Sequence, residues 1–415
     1  MQELYPNCAG IDVHKRFLVA CRLHVDEHGH QHKQIRKFGT MLADLEALRD
    51  WLTETSTTHV AIESTGVYWQ PVFNVLEEGC TVWVVNAKHV KNVPGRKTDV
   101  KDSEWLAQLL RAGLLRPSFI PERQQRELRE LVRYRLSLVE ERNRVANRIQ
   151  KVLEDANIKL SSVATDIQGV SAQAMIHALV NGEEDPAVLA DLAQKRMRSK
   201  LDELERALRG RVREHHRYML GQLLGHLDFL DGEIEKLEER IEQQVAAMPP
   251  FAELVPKLDT IPGINRLVAI TLLAEIGVDM SRFASDKHLA AWAGLAPGND
   301  ETGGKARASK TRKGNRYVRR IMVQAAHAAA RKRECYMRSM YQRIARRRGE
   351  GRAAVAVGHA LLITVYHVIA RGEVYKDLGP DYLEQRNAET RIRYLTRELE
   401  KLNVRVTIEQ LDEAA

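Results

Sequence analysis

Over the first 117 residues the hydrophobic periodicity changes in an order that few folds can accommodate. "CAGIDVH", "FLVACRLHV" and "KQIRKFG" read as three strands in succession. "MLADLEALRDWLTE" then carries helical spacing, "THVAIES" is a buried strand, "YWQPVFNVLEEG" a helix, "CTVWVVNA" a strand and "DSEWLAQLLRAG" a helix. The result is an α/β domain that closes near Pro117.

Three strands followed by helix, strand, helix, strand, helix is the element order of an RNase H-like fold, in which the first and fourth strands are parallel neighbours. Asp12 in "AGIDVHK" and Glu63 in "VAIES" would then project side by side, and the helix opened by "KTDVKDSEW" would bring Asp99 and Asp102 to the same edge. Taken singly, each acid has a plain reading: a turn residue, a cap, or a first-turn residue favoured by the helix dipole. Together they favour a metal site, because four carboxylates share a small dry space only when divalent cations neutralise them. Two hard cations about 4 Å apart would suit an in-line phosphoryl displacement. His14 and His89 are alternative ligands or bases, although a lone histidine near a strand end is more often a surface residue.

From Glu122 the pattern is helical. Leu220, Leu223, Leu227, Leu230, Ile234, Leu237 and Ile241 repeat at alternating threes and fours, the spacing of a coiled coil, pairing either within the chain as an antiparallel hairpin or between chains. The expected layout is an α/β domain over 1–117, a helical coiled-coil region over 118–255, an all-α domain over 256–375 and a helical tail over 376–415. "IPGI" at the start of the third region resembles a helix-hairpin-helix turn able to receive a phosphate, although a lone Pro-Gly is more often only a turn.

The formal net charge is +8, and its position decides its meaning. Basic residues crowd between Lys305 and Arg352, with only Glu334 and Glu350 opposing them. Lys305, Arg307, Lys310, Arg312, Lys313, Asn315, Arg316, Arg319 and Arg320 are the expected nucleic-acid contacts, with Gly303, Gly304 and Gly314 letting backbone approach the polyanion. No signal peptide opens the sequence, and "AVAVGHALLITVYHVIA" reads as too short to span a membrane, so a cytoplasmic protein is expected. Cys8, Cys21, Cys80 and Cys335 form neither a zinc pattern nor a disulfide framework.

"GIDVHK", "AIESTGVYWQP" and "KTDVKDSEWLAQLL", followed by "IPGI", "AEIG", "FASDKHLAAWAGLAP" and "TRKGNRYVRR" in the same order, resemble the IS110/IS1111 family of insertion-sequence transposases. The resemblance runs from Asp12 to about Arg371. It implies a RuvC-like DEDD nuclease domain with Asp12, Glu63, Asp99 and Asp102 holding Mg²⁺, or Mn²⁺ in its place, then a coiled coil and a C-terminal transposase domain. It also implies a recombinase guided by a structured bridge RNA that pairs with donor and target DNA and cuts through a covalent 5′-phosphoserine. A homodimer or dimer of dimers is the implied assembly.

Where the family has "P-x-x-x-E-S-G", this chain reads "PGNDETGGK", so Thr302 occupies the position of the serine nucleophile. Its methyl makes attack on a crowded phosphate harder. Ser309 is the rival, displaced by seven residues, and a serine in a basic loop is usually a phosphate contact. A structure-selective RuvC-like endonuclease using water is the alternative function, and a non-catalytic nucleic-acid scaffold a third.

Overall fold

The computed structural model describes residues 4–64, 66–86, 102–298, 301–302, 305–306 and 311–401. It divides into two units, Met1–Pro121 and Glu122–Ala415. The first contains strands Cys8–Val13 (β1), Phe17–Val25 (β2) and Gln31–Gly39 (β3), helix Leu42–Thr53 (α1), strand His59–Glu63 (β4), helix Trp69–Leu76 (α2), strand Thr81–Val85 (β5) and helix Asp102–Arg111 (α3). Its sheet runs β3-β2-β1-β4-β5. β1 pairs antiparallel with β2 and parallel with β4, and β4 is parallel to β5. The first and fourth strands are thus parallel neighbours, and the mixed sheet is compatible with the RNase H-like order.

Period-two alternation sorts the residues of β1 and β4 between the two faces of the sheet. Ala9, Ile11 and Val13, with Val60 and Ile62, pack against Leu48 and Leu52 of α1 and Leu76 of α2. Cys8, Ala61 and Val85 pack on the other face against Leu106, Ala107 and Leu110 of α3. Burial of Leu106 and Leu110 anchors that helix, each contributing about 1.5–3 kcal/mol. Gly10 sets how close it comes: a methyl there would collide with the Ser103 carbonyl oxygen and the Ala107 amide nitrogen and lie 2.8 Å from Leu106 Cβ. On the opposite face, buried Arg22 of β2 ties α1 to the sheet, donating to the Trp51 carbonyl and lying 4.2 Å from the Trp51 ring centroid.

The second unit is built on two 33-residue helices, Arg123–Asp155 (α4) and Glu214–Ala246 (α9). Between them lie Leu160–Val163 (α5), Val170–Val180 (α6), Pro186–Asp191 (α7) and Leu201–Leu208 (α8). Arg135 pairs with Glu238, Arg142 with Asp231 and Asp155 with His216. Partner numbers fall as α4 numbers rise, so the helices run antiparallel within the chain. Leu220, Leu227, Leu230 and Ile234 are buried in a middle core with Val145, Ile149 and Leu153, while Leu223 and Leu237 lie at its margin.

Leu128 and Val132 of α4, with Ile241 and Val245 of α9, enter a second core. That core is completed by Pro249–Asp259 (α10), Arg266–Ile276 (α11), Asp286–Trp292 (α12), Arg316–Ala329 (α13), Tyr336–Arg348 (α14) and Glu350–Arg371 (α15), and Tyr382–Glu400 (α16) follows. The apolar stretch expected to be too short for a membrane lies in α15, which at 22 residues is long and apolar enough to cross one. The His and Gly that interrupt the stretch in sequence are accommodated within the helix. Its buried face, including Val357, Leu361, Leu362 and Val365, belongs to this core.

Candidate active site and nucleic-acid interface

Asp12 and Glu63 each follow a paired residue: Ile11 and Ile62 are in parallel register, so the acids occupy the next position at the C-terminal ends of adjacent strands. They alternate with Ile11 and Ile62 and therefore share a face with Gly10 and Ala61, the face covered by α3. α3 runs antiparallel to β1: Ser103 and Ala107 lie over Gly10, and the Arg111 carbonyl accepts from the Leu4 amide beyond the start of β1. Asp102, its first residue, is therefore at the strand end where Asp12 and Glu63 emerge. Its acidic first turn, Asp102 and Glu104, suits the helix N-terminus.

The site is half-buried, not dry. The Asp12 side chain is 20% exposed and its Oδ2 lies 3.1 Å from His14 Nε2. His14, half exposed, is therefore a surface residue that is also a neighbour of Asp12, at the i, i+2 spacing written in "DVH". Among the described residues no three His, Cys, Asp or Glu side chains form a ready metal shell. Asp99 and His89 lie outside the described residues. Carboxylate oxygens from two strand ends and a helix start are hard donors of the kind Mg²⁺ and Mn²⁺ take, so the donor chemistry fits a divalent cation.

In the second unit Glu301–Thr302 (β6) and Lys305–Ala306 (β7) form an antiparallel ribbon in which Thr302 pairs with Lys305. Pro297 and Thr311 bridge at its base. Ser309, Arg307 and Lys310 lie outside the described residues, as do Gly303 and Gly304.

The expected nucleic-acid contacts divide into two groups. Arg312, Lys313 and Arg316 are exposed. Asn315 instead caps α13, its Oδ1 accepting from the Tyr317 and Val318 amides at 2.9 and 3.1 Å. Arg319 donates to the Gly294 carbonyl at 2.8 Å and Thr311 Oγ1 at 2.7 Å, and Arg320 pairs with Glu140 of α4. Gly314, expected to admit a polyanion, is required by the fold: a methyl there would lie 2.5 Å from the Trp292 carbonyl oxygen. The "IPGI" turn is likewise packed inward, with Ile261, Pro262 and Ile264 buried, which favours the plain-turn reading. Arg331, Lys332, Arg333, Arg343, Arg346, Arg347, Arg348 and Arg352 add exposed cations.

A mixed sheet with acids at one strand end and a second, helical unit rich in exposed cations suit a protein that processes nucleic acid. A family model for the DEDD transposases of IS110, described as a transposase, matches residues 9–158, and one described as the transposase IS116/IS110/IS902 family matches residues 255–342. Among relatives, a probable family 20 transposase of Pseudomonas aeruginosa is 24% identical over 68% of this chain and 75% of its own length. The transposase for insertion sequence element IS1111A of Coxiella burnetii is 24% identical over 74% of this chain and 76% of its own. A pilin gene-inverting protein of Moraxella bovis is 41% identical over 17% of this chain and 21% of its own. The chain belongs to the IS110 family of insertion-sequence transposases, enzymes that cut and rejoin DNA.

Proposed function

We propose that this transposase breaks and reseals DNA strands through a covalent protein–DNA intermediate, with Asp12, Glu63, Asp99 and Asp102 as its acidic centre and Thr302 as its nucleophile. The observation that carries the acidic centre is the shared face of Asp12 and Glu63 under the N-terminus of α3. These carboxylates would hold Mg²⁺ or Mn²⁺, which when bound neutralises them and stabilises charge on the phosphate. His14, 3.1 Å from Asp12, orients that carboxylate.

The Thr302 oxygen forms a bond to the scissile phosphorus and gives up its proton as the bond to the 3′ oxygen breaks, and the 3′ end leaves as a hydroxyl. One phosphoester replaces another, so the reverse attack reseals DNA without an external energy source. Exposed Arg312, Lys313 and Arg316 hold phosphates, which fixes register but reads no sequence. We therefore assign sequence choice to a structured RNA pairing with donor and target DNA, as the family resemblance implies. A dimer or dimer of dimers supplies the two strand exchanges, and its sites are tested by mixing an Asp12→Asn chain with a Thr302→Ala chain, which should restore activity neither has alone.

Asp12→Asn and Glu63→Gln test the acidic centre: strand cleavage should disappear while DNA binding and thermal stability stay near those of the parent. Undiminished cleavage in either variant would overturn the assignment.

A further inference from the structure

Glu275, in the "AEIG" stretch, is 1% exposed at the C-terminal end of α11. A lone buried carboxylate is costly, and this one is fully engaged. Arg133 of α4 grips it with both nitrogens, Nε to Oε1 at 2.6 Å and Nη2 to Oε2 at 2.8 Å. Asn315 Nδ2 donates to the same Oε2 at 2.8 Å. Arg129 Nε donates to the Ala274 carbonyl at 3.0 Å and its Nη2 to the Glu275 carbonyl at 2.9 Å, and Gln125 Nε2 reaches the Ala274 carbonyl at 3.1 Å. Three side chains of one face of α4 thus satisfy the end of α11, where carbonyls lack helical partners.

Asn315 joins this network to the base of the Thr302 ribbon. Its Oδ1 caps α13, its amide donates to the Trp292 carbonyl at 3.0 Å, and its Nδ2 is held by Glu275. Immediately before it, Gly314 packs against residues 292–294, and Arg319 clamps Gly294 to Thr311, which bridges Pro297. Glu275 thus reaches the segment between Leu295 and Asn315 directly at its Asn315 root, and the backbone hydrogen bond from Asn315 to Trp292, with the separate Arg319 clamp, links that root to the one near Leu295.

We propose that Glu275 is a positioning residue for strand transfer: with Arg133 it holds Asn315, and through Asn315 it fixes the base of the ribbon that carries Thr302, beside the exposed cations Arg312, Lys313 and Arg316. This rests on the reading of Thr302 as nucleophile. A cap needs only the Asn315 oxygen, whereas the link to Glu275 needs its nitrogen, and the two roles separate by substitution. Asn315→Asp keeps the cap and sets a carboxylate oxygen against Glu275. Glu275→Gln combined with Asn315→Asp restores the donor and acceptor of that link with their places exchanged, at the cost of the Arg133 Nη2 bond to the same Oε2.

The experiment uses full-length protein purified from cells carrying the whole element, so that bound RNA is retained, with duplex DNA containing the element ends. Asn315→Asp should lower single-turnover adduct formation at saturating DNA by about tenfold or more with little change in half-saturation, and the double variant should recover part of the loss. Hydrogen exchange over 290–298 and 311–318 should quicken in Asn315→Asp and slow again in the double variant. Asn315→Ser, which keeps a cap but cannot reach Glu275, should behave as Asn315→Asp does. Parental adduct rates in Asn315→Asp and Asn315→Ser would overturn the proposal. Parental exchange at the ribbon base in those variants would overturn it even if the parent forms no adduct on Thr302, a result that would separately overturn the nucleophile reading.

Discussion

Replacing Gly10 by alanine tests how the acidic centre is assembled. The added methyl would fall on backbone atoms of α3, at Ser103 and Ala107, and within 2.8 Å of Leu106 Cβ. Backbone in the middle of a packed helix cannot rotate aside as a side-chain tip can, so the helix must move off the sheet by about 1 Å, an overpacking that costs roughly 1–3 kcal/mol. Asp102 travels with α3 while Asp12 and Glu63 stay on the sheet, and about 1 Å of misplacement lowers a positioned reaction by roughly a hundredfold. Gly79→Ala is the control, since a methyl there meets nothing within 4 Å. The assay pairs thermal unfolding with divalent-dependent strand cleavage. Gly10→Ala should unfold several degrees lower and lose cleavage while binding DNA, whereas Gly79→Ala should match the parent. Gly10→Ala protein as stable and active as Gly79→Ala would refute the close-approach argument.

Salt titrations of DNA binding should lose about one unit of slope for each of Arg312→Ala, Lys313→Ala and Arg316→Ala. Arg319→Ala, which removes the clamp on Gly294 and Thr311, should instead lower thermal stability with less change in slope. Burial, then the Glu104 carboxylate, push the Cys21 thiol up to about 12 against the opposing pull of Lys33, so native protein at pH 8 should resist alkylation there and denatured protein should not. Burial holds His359 below the ordinary histidine value, with Asp286 opposing. Its folded pKa lies below its unfolded one, so its contribution is present above about pH 6.5 and is lost as the pH falls from there through the lower folded value. Thermal midpoints should fall between pH 7.5 and 5.5, and His359→Gln should flatten that fall.

The N-terminal sheet was legible because alternation in "CAGIDV" and "HVAIE" writes each residue's face into the sequence, and strand order then makes Asp12 and Glu63 neighbours. The antiparallel helix pair was half legible: heptad spacing marked the buried seam, but partner and direction appear only in pairs such as Arg142 with Asp231, 89 positions apart. The uses of the basic block were half legible for the same reason. Composition counts Arg319 and Arg320 as free charge, whereas folding uses them on Gly294, Thr311 and Glu140. Glu275 was invisible because its meaning lies in Arg133, 142 positions away, and Asn315, 40 positions away.

The proposed strand transfer depends first on the identity of the attacking hydroxyl. Full-length protein would be reacted with DNA containing the element ends, denatured and digested, and the DNA-linked peptide sequenced by mass spectrometry. The expected product is a phosphodiester on Thr302, lost in Thr302→Ala and formed faster in Thr302→Ser, where the obstructing methyl is gone. Linkage at Ser309, or cleaved DNA with no protein attached, would contradict it.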